Sequence, residues 1–579
     1  MTLLLEAAFP RTLDTLLARF SAPGHRGTRV EAWLFEDAAA RRGAEASLAA
    51  NGVQARLRSA YKPLLHAVLE DVDIVGLVAL DIGTPRHPAG SLERFRLEAY
   101  PLAALLPGVA LHFAEGDAPL DHAVQMDWAD GRTERHRVFA PNVVRADPMG
   151  AAVLGCAGWL RVWPPGAAAP AEDGPLETEY ESVYAAVMAA VAAQQWGATP
   201  CFETLEISVA TGGIERRLDH ADECVSTREA LHEELYFSLL EFFQHRFARP
   251  AGDRGLQPGQ IVPDIRHGTG PTRVRMVAGP PVAFAMAADA GEALAHATAP
   301  LAPARIATAL EALGGAAFSA VSVQGRPVLG DYFAGSGPGF LLSAGQHANE
   351  TSGVVGALRA APALLAQGAH FALIPQENPD GYALHHRLRQ ANPRHMHHAA
   401  RYTALGDDLP TRRTPPFHEK SARLEAFRRT EAGLHINLHG YPAHEWTRPL
   451  NGYVPRGFAG WTVPKGFFLI LRHRPGAAAP AGAFIRAVAE AVAEVPGLAA
   501  FNAAHLAAYA AHAGPVGAPV HAGIPCFLSE AEDADVPMTL ITEYPDETIY
   551  GDAFRLAHEV QMATVLAAAA LFRAGNFHA

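Results

Sequence analysis

Three short stretches carry residue types that could do chemistry together. In FLLSAGQHANETSG (Phe340 to Gly353), His347 and Glu350 stand three residues apart. The run Phe340-Leu341-Leu342 predicts a buried strand, a glycine turn follows, and a helix is expected to open at about Thr351. An imidazole and a carboxylate at a strand end and a helix start can turn toward one point, and that donor set suits zinc. Glu350 could equally complement the helix dipole. The second stretch is LHINLHGYPAHEW (Leu434 to Trp446), where strand alternation puts His435, Asn437 and His439 on one face and Ile436 and Leu438 on the other. His439 is the last strand residue before Gly440, with His444 nearby in a loop. With His347 and Glu350 it makes a His2Glu set that leaves one position open, as catalytic zinc sites do. The third stretch is TLITEYP (Thr539 to Pro545). Glu543 ends an apolar strand, where a carboxylate is costly to bury alone. Beside a metal-activated water it would be a general base; otherwise it would cap or pair with an Arg.

The elements that must position these groups alternate along the second half of the chain. A helix is expected at Ala304 to Leu313, then a hairpin (Ala320 to Val323, Val328 to Phe333) around Gly325-Arg326-Pro327. Strand Phe340 to Ser343, helix Thr351 to Gln367 and strand Phe371 to Ile374 follow. Beyond an irregular stretch come helix Ser421 to Thr430, strand Leu434 to Leu438, helices Ala483 to Glu494 and Ala500 to His512, strand Met538 to Thr542, and a helix from about Gly551 to Ala574. This pattern predicts an α/β fold, a mixed, doubly wound sheet with helices on both faces. Sites in such folds lie at the carboxyl ends of strands, where all three motifs fall.

Residues 1 to 302 read as a separate α+β region, divisible into two subdomains, and 303 to 579 as the catalytic domain. The first half carries no motif with a clear chemistry. Glu31 to Ala50 and Tyr180 to Gln195 read as helices, and Phe95 to Tyr100 and Val109 to Phe113 as strands. Phe202 to Ala210 and Ile214 to Leu218 read as a hairpin around Gly212-Gly213. Ser226 and Glu229 form a capping box for a long amphipathic helix through Phe247. The polar residues Asp219, His220, Asp222, Glu223 and Cys224 read as a solvated or capping loop. A Pro/Gly/Ala-rich linker is expected between Pro250 and Pro303, part of it ordered strand.

Composition narrows the classes. With 49% hydrophobic and 18% charged residues over 579 positions the chain is globular and long enough for several domains. A net charge of −13 without a basic cluster argues against a nucleic-acid partner. The four cysteines (Cys156, Cys201, Cys224, Cys526) form no C-x-x-C pair, so neither a disulfide framework nor a thiolate zinc site is expected. The first residues lack a basic n-region, and the apolar runs fall short of the roughly 18 residues that suggest a membrane span. A cytoplasmic protein with no membrane partner is the expectation; the oligomeric state is not legible.

Taken in order, GQHANETSG, NPDGY (Asn378 to Tyr382), LHGY (Leu438 to Tyr441) and TEY (Thr542 to Tyr544) resemble the zinc metallocarboxypeptidases of the carboxypeptidase A type, over about residues 303 to 579. The hairpin VSVQGRPVLGDYF resembles that family's opening strands. The resemblance implies one zinc ion held by His347, Glu350 and His439, with Glu543 as general base. It implies that an Arg after NPDGY polarises the scissile carbonyl, with Arg389 the first choice and Arg387 next. A D-x-N-R segment holds the substrate's terminal carboxylate in that family. Here the match is Asp408 to Arg413, without the Asn, which makes Arg412 the candidate clamp. Tyr441 and Tyr509 are the candidate substrate-contacting tyrosines. The acidic run Glu530, Glu532, Asp533 and Asp535 would favour a basic substrate side chain or be a solvated loop. The histidines His385, His386, His395, His397 and His398 are read as rim, not as a second metal site. Two alternatives stand beside a peptidase: an N-acyl amino acid amidohydrolase of the aspartoacylase and succinylglutamate desuccinylase branch, which H-x-N-E-T also resembles, and a non-catalytic peptide-binding protein.

Overall fold

The computed structural model describes residues 1–284, 291, 293–532 and 535–575. Among them, every strand before residue 303 belongs to one of three four-stranded and two two-stranded sheets. Several local expectations change there. Arg29–Leu34 is a strand that pairs with Gln54–Ser59 and Gly158–Trp163, and the expected helix begins only at Ala38, where the Asp37 carboxylate accepts from Ala40 N at 2.8 Å. The β-branched and aromatic residues Val30 and Trp33 suit a strand better than a helix. Phe95 to Tyr100 is not a strand. Leu92–Glu98 is a helix, capped by Ser91, in which Arg94 pairs with Glu98 one turn on at 2.7 Å.

The hairpin around Gly212-Gly213 is absent. Thr204–Thr211 instead pairs in parallel with Gln260–His267 and antiparallel with Thr272–Gly279. Gly213, at φ +120°, turns the chain away, and Ile214 N donates to Thr227 Oγ1 at 2.9 Å. The stretch expected as a linker therefore supplies two sheet strands; its residues 285–290 and 292 lie outside the described residues. Helix α1, Thr227–Arg246, starts at the expected Ser226 cap, whose hydroxyl accepts from Glu229 N at 3.0 Å. It is not amphipathic. Glu229, Glu233, Glu234 and Glu241 are all buried along it, because the loops of the second half pack over the face that sequence alone assigns to water.

The second half is built on one mixed nine-stranded sheet. In chain order its strands are β1 Ala316–Val321, β2 Pro327–Phe333, β3 Ser336–Ala344, β4 Ala369–Ile374, β5 Leu434–Tyr441, β6 Phe468–His473, β7 Val520–His521, β8 Ile524–Glu530 and β9 Met538–Pro545. In space they run β1-β2-β4-β3-β5-β9-β6-β8-β7. The hairpin β1–β2 forms as expected around Gly325-Arg326-Pro327. Strands β3, β5 and β9 are parallel neighbours, and β6 runs antiparallel to β9. Helices α2 (Ser352–Ala366), α5 (Ala478–Val492) and α7 (Asp552–Arg573) cover one face, over a core that includes Leu342, Ile436, Leu438 and Leu540. Helix α4 (Lys420–Thr430) covers part of the other, against Leu341, Ala372 and Ile374. The α/β expectation, with helices on both faces, holds.

Helix α3 (Pro379–Ala391) lies in the stretch read as irregular. Pro379 at its first position and the Asn378 side chain, which accepts from Gly381 N at 2.9 Å, start it. Strands β6 and β8 were also missed, since short apolar runs do not distinguish strand from helix. Helix α6 (Leu498–Ala513) packs back onto the first half, where His512 accepts from Ala103 N at 3.1 Å.

Candidate metal centre and its cavity

The alternation of β5 is what sorts the histidines. Ile436 and Leu438 enter the core beneath α2 and α7, so His435, Asn437 and His439 face the opposite side and line a cavity of about 560 Å³. At its carboxyl end β5 pairs in register with β9, setting His439 directly opposite Glu543. Strand β3 ends one strand away, and its glycine turn brings in His347 and Glu350.

These groups converge. His347 Nδ1 lies 2.8 Å from Glu350 Oε1, His439 Nδ1 lies 2.9 Å from Glu350 Oε2, and the two Nδ1 atoms are 3.1 Å apart. The three ligand atoms lie within 4.8 Å of one another, and they form the one such cluster among the described residues. Two imidazole nitrogens and a carboxylate facing one point, all buried, form the donor set a zinc ion requires, so the residues fit the metal. His347 Nε2 faces Asp408 Oδ1 at 3.4 Å, and Gln346 Nε2 donates to the same oxygen at 3.0 Å. A carboxylate on the far nitrogen holds the ring so that Nδ1 faces the other two donors. Gln561 Nε2 donates to the His439 carbonyl at 2.9 Å and fixes the strand end from α7.

Electrostatics separates the two glutamates. Burial acts to raise the Glu350 pKa, but His347, Arg401 and His439 outweigh it and hold the carboxyl well below its ordinary range. For Glu543, burial and the nearby Glu350 charge push the pKa well above the ordinary carboxylate value. Glu543 Oε2 is buried without a hydrogen-bond partner, on a residue that lines the cavity.

The remaining candidates fall in different places. Arg389 stacks over Tyr550, 5.3 Å from its ring centre, and does not line the cavity. Arg387 is tied to Glu206 through bonds of 2.8 and 2.9 Å, on the side of the first half. The Arg beside the donor set is Arg401, whose Nη1 donates to Glu350 Oε1 at 2.6 Å and which lines the cavity. Sequence reasoning missed it. The one available signal was a lone cation, Arg401, three residues after the histidines that are read as rim. Arg412 is buried in bonds to Asp407 and Glu419, each 2.7 Å, and does not line the cavity either. Pro410, Thr411 and Arg413 from its segment do, and so does Arg254, from the stretch expected to be linker. Tyr441 lines the cavity with its hydroxyl donating to the Gly466 carbonyl at 2.6 Å. Tyr509 lies outside, against Lys465. Of the acidic run, Asp535 lines the cavity, Glu530 and Glu532 do not, and Asp533 lies outside the described residues. Of the clustered histidines only His398 lines it, held by Glu233 of α1 at 2.6 Å.

No family model and no curated protein matches the chain. Several solved structures align with part of it. One from Shewanella denitrificans, described as a candidate metallopeptidase, shares 17% identity over 47% of this chain and 88% of its own, with a TM-score of 0.30. A metallo-carboxypeptidase from Burkholderia cenocepacia shares 13% identity over 53% and 76%, with a TM-score of 0.30. A murein-tripeptide amidase from Escherichia coli shares 16% identity over 44% and 91%, with a TM-score of 0.22. Scores this low identify neither family nor activity. Among the described residues no helix is long and apolar enough to cross a membrane.

Proposed function

We propose that the protein is a zinc-dependent hydrolase of peptide or amide bonds, acting as a metallocarboxypeptidase at the cavity below His347, Glu350 and His439. The observation that carries this reading is the position of Glu543. A buried carboxylate with one unpartnered oxygen lines the cavity, directly opposite a candidate ligand in the strand register.

His347, Glu350 and His439 would hold the ion, and zinc bound there supplies Lewis acidity toward a carbonyl and a water. Glu543 takes the attacking water's proton and returns it to the leaving nitrogen. A buried carboxylate with an unpartnered oxygen on the cavity wall is placed to accept a proton and give it up again. Arg401, fixed on Glu350, offers its guanidinium to the oxygen on which charge develops. Asp408 keeps His347 in its ligand orientation.

One observation favours a second reading. Arg412, the expected clamp for a terminal carboxylate, is locked onto Asp407 and Glu419, and its segment brings Pro410, Thr411 and Arg413 to the cavity in its place. An N-acyl amino acid amidohydrolase therefore stands as the alternative. Zinc-loaded protein assayed on N-blocked dipeptides, C-terminally amidated dipeptides and N-acyl amino acids separates them. Hydrolysis of the free-acid dipeptides and not their amides is the expected result, and hydrolysis confined to N-acyl amino acids would select the alternative.

A further inference from the structure

The cavity does not end at the donor set. It continues along the face of β5 and β9 past Asn437 and Ile541 to His435 and Thr539, with Ile470 and Arg472 of β6 forming the adjoining wall. The register fixes its depth. Glu543 pairs with Phe468, Ile541 with Ile470 and Thr539 with Arg472, so Arg472 stands four residues, roughly 13 Å along the strand, from the catalytic end. Its long stem spans part of that gap.

The groups along this path are ordered by polarity. Ile470 and Ile541 are paired across the strands about midway and offer an apolar sleeve. Arg472 follows at the far end, exposed to the cavity and without an ion pair or hydrogen bond among the described residues. Arg423 also borders the cavity, but its guanidinium is committed to Glu377 and Gln346. The one described carboxylate at this end, Asp535, acts on Lys420 and Arg423. A ligand entering from the donor set therefore meets methylene-sized apolar walls and then an uncommitted cation.

We propose that Arg472 selects substrates whose leaving residue carries an acidic side chain of about glutamate length, its methylenes lying between Ile470 and Ile541 and its carboxylate on the guanidinium. The inference rests on the hydrolase reading for the word substrate, but the binding preference does not depend on turnover. It runs against the reading of the acidic run as a determinant of basic preference; of that run only Asp535 borders the cavity among the described residues.

The test is calorimetric binding of N-acetylglutamate, N-acetylglutamine, N-acetylleucine and Nα-acetyllysine to the zinc-loaded full chain, with dipeptides ending in the same four residues assayed in parallel. N-acetylglutamate should bind about tenfold tighter than N-acetylglutamine, a difference typical of one charge-assisted contact. Arg472→Ala should abolish that difference and leave N-acetylleucine affinity unchanged, and Arg472→Glu should turn the preference toward Nα-acetyllysine. Because Arg472 is exposed, melting temperature and zinc content should match the unaltered protein; Arg472→Gln serves if the Glu variant does not fold. Equal affinity for the acid and the amide, or a preference that survives Arg472→Ala, overturns the proposal. If no substrate is hydrolysed but the acid preference follows Arg472, the hydrolase reading fails and this one stands.

Discussion

Arg401 and Glu350 are joined by a 2.6 Å hydrogen bond across 51 residues of chain, and this bond sets beside the cavity the one arginine that, among the described residues, touches the donor set. Arg389, on α3, faces Tyr550 instead. Arg401→Ala should lower kcat/KM by about a hundredfold or more, as removal of one oxyanion donor does, with Arg401→Lys recovering part of the loss. Arg389→Ala should leave kcat/KM within about twofold. Steady-state kinetics on the three variants checks both, and a large loss in Arg389→Ala would reverse the assignment.

Arg412 offers a different contrast, because a clamp and a structural pair respond differently to removal. Its guanidinium is filled by Asp407 and Glu419. Arg412→Ala should lower the melting temperature clearly while KM for a free-acid dipeptide stays unchanged in the folded fraction. A raised KM with unaltered melting would show that the side chain binds substrate.

The acidic helix α1 clamps the loop after β5. Arg448, almost wholly buried, reaches Glu241 at 2.7 Å and Glu234 at 3.5 Å. Cutting one partner out of such a cluster leaves buried charge unpaired, so Arg448→Ala should destabilise the protein by about 3–5 kcal/mol in denaturant unfolding. A loss under about 1 kcal/mol would mean that the loop is held by its apolar contacts.

His444 is bonded to Glu229 of the same helix at 2.8 Å. Burial acts to lower its pKa, but Glu229 outweighs that and raises it to about 9. A histidine raised on folding contributes stability that is fully present below its unfolded pKa of about 6.5 and is lost as pH rises through the folded value. Unfolding free energy should therefore fall between about pH 6.5 and 9. Glu229→Gln should flatten that slope; an unchanged slope would place its origin elsewhere.

How much of this was legible follows from how local each signal is. The convergence of His347, Glu350, His439 and Glu543 was legible because an i, i+3 spacing and a polar residue at the end of an apolar strand are local patterns, and strand order then brings them together. The α/β sheet followed from the same alternation. Arg401 could not be found that way. Its position depends on the loop from His395 to Arg401 packing on α1, where Glu233 bonds His398 and Glu229 accepts from Met396 N at 3.3 Å, contacts spanning more than 160 residues. The absent hairpin at Gly212-Gly213 has the same cause. Thr204–Thr211 finds both partners about 50 residues or more downstream, and no turn signal reports that.

On the proposed reading, His347, Glu350 and His439 hold one zinc ion and Glu543 beside it serves hydrolysis of an amide bond. The most direct test measures zinc content and hydrolysis on the same preparations of the unaltered protein and Glu543→Gln. Both should bind one zinc per chain, with turnover lost on chelation and restored by zinc in the first, and reduced by about 10²–10⁴ in the second. A zinc-loaded Glu543→Gln protein with undiminished hydrolysis, or an unaltered protein whose hydrolysis survives complete removal of zinc, would contradict the account.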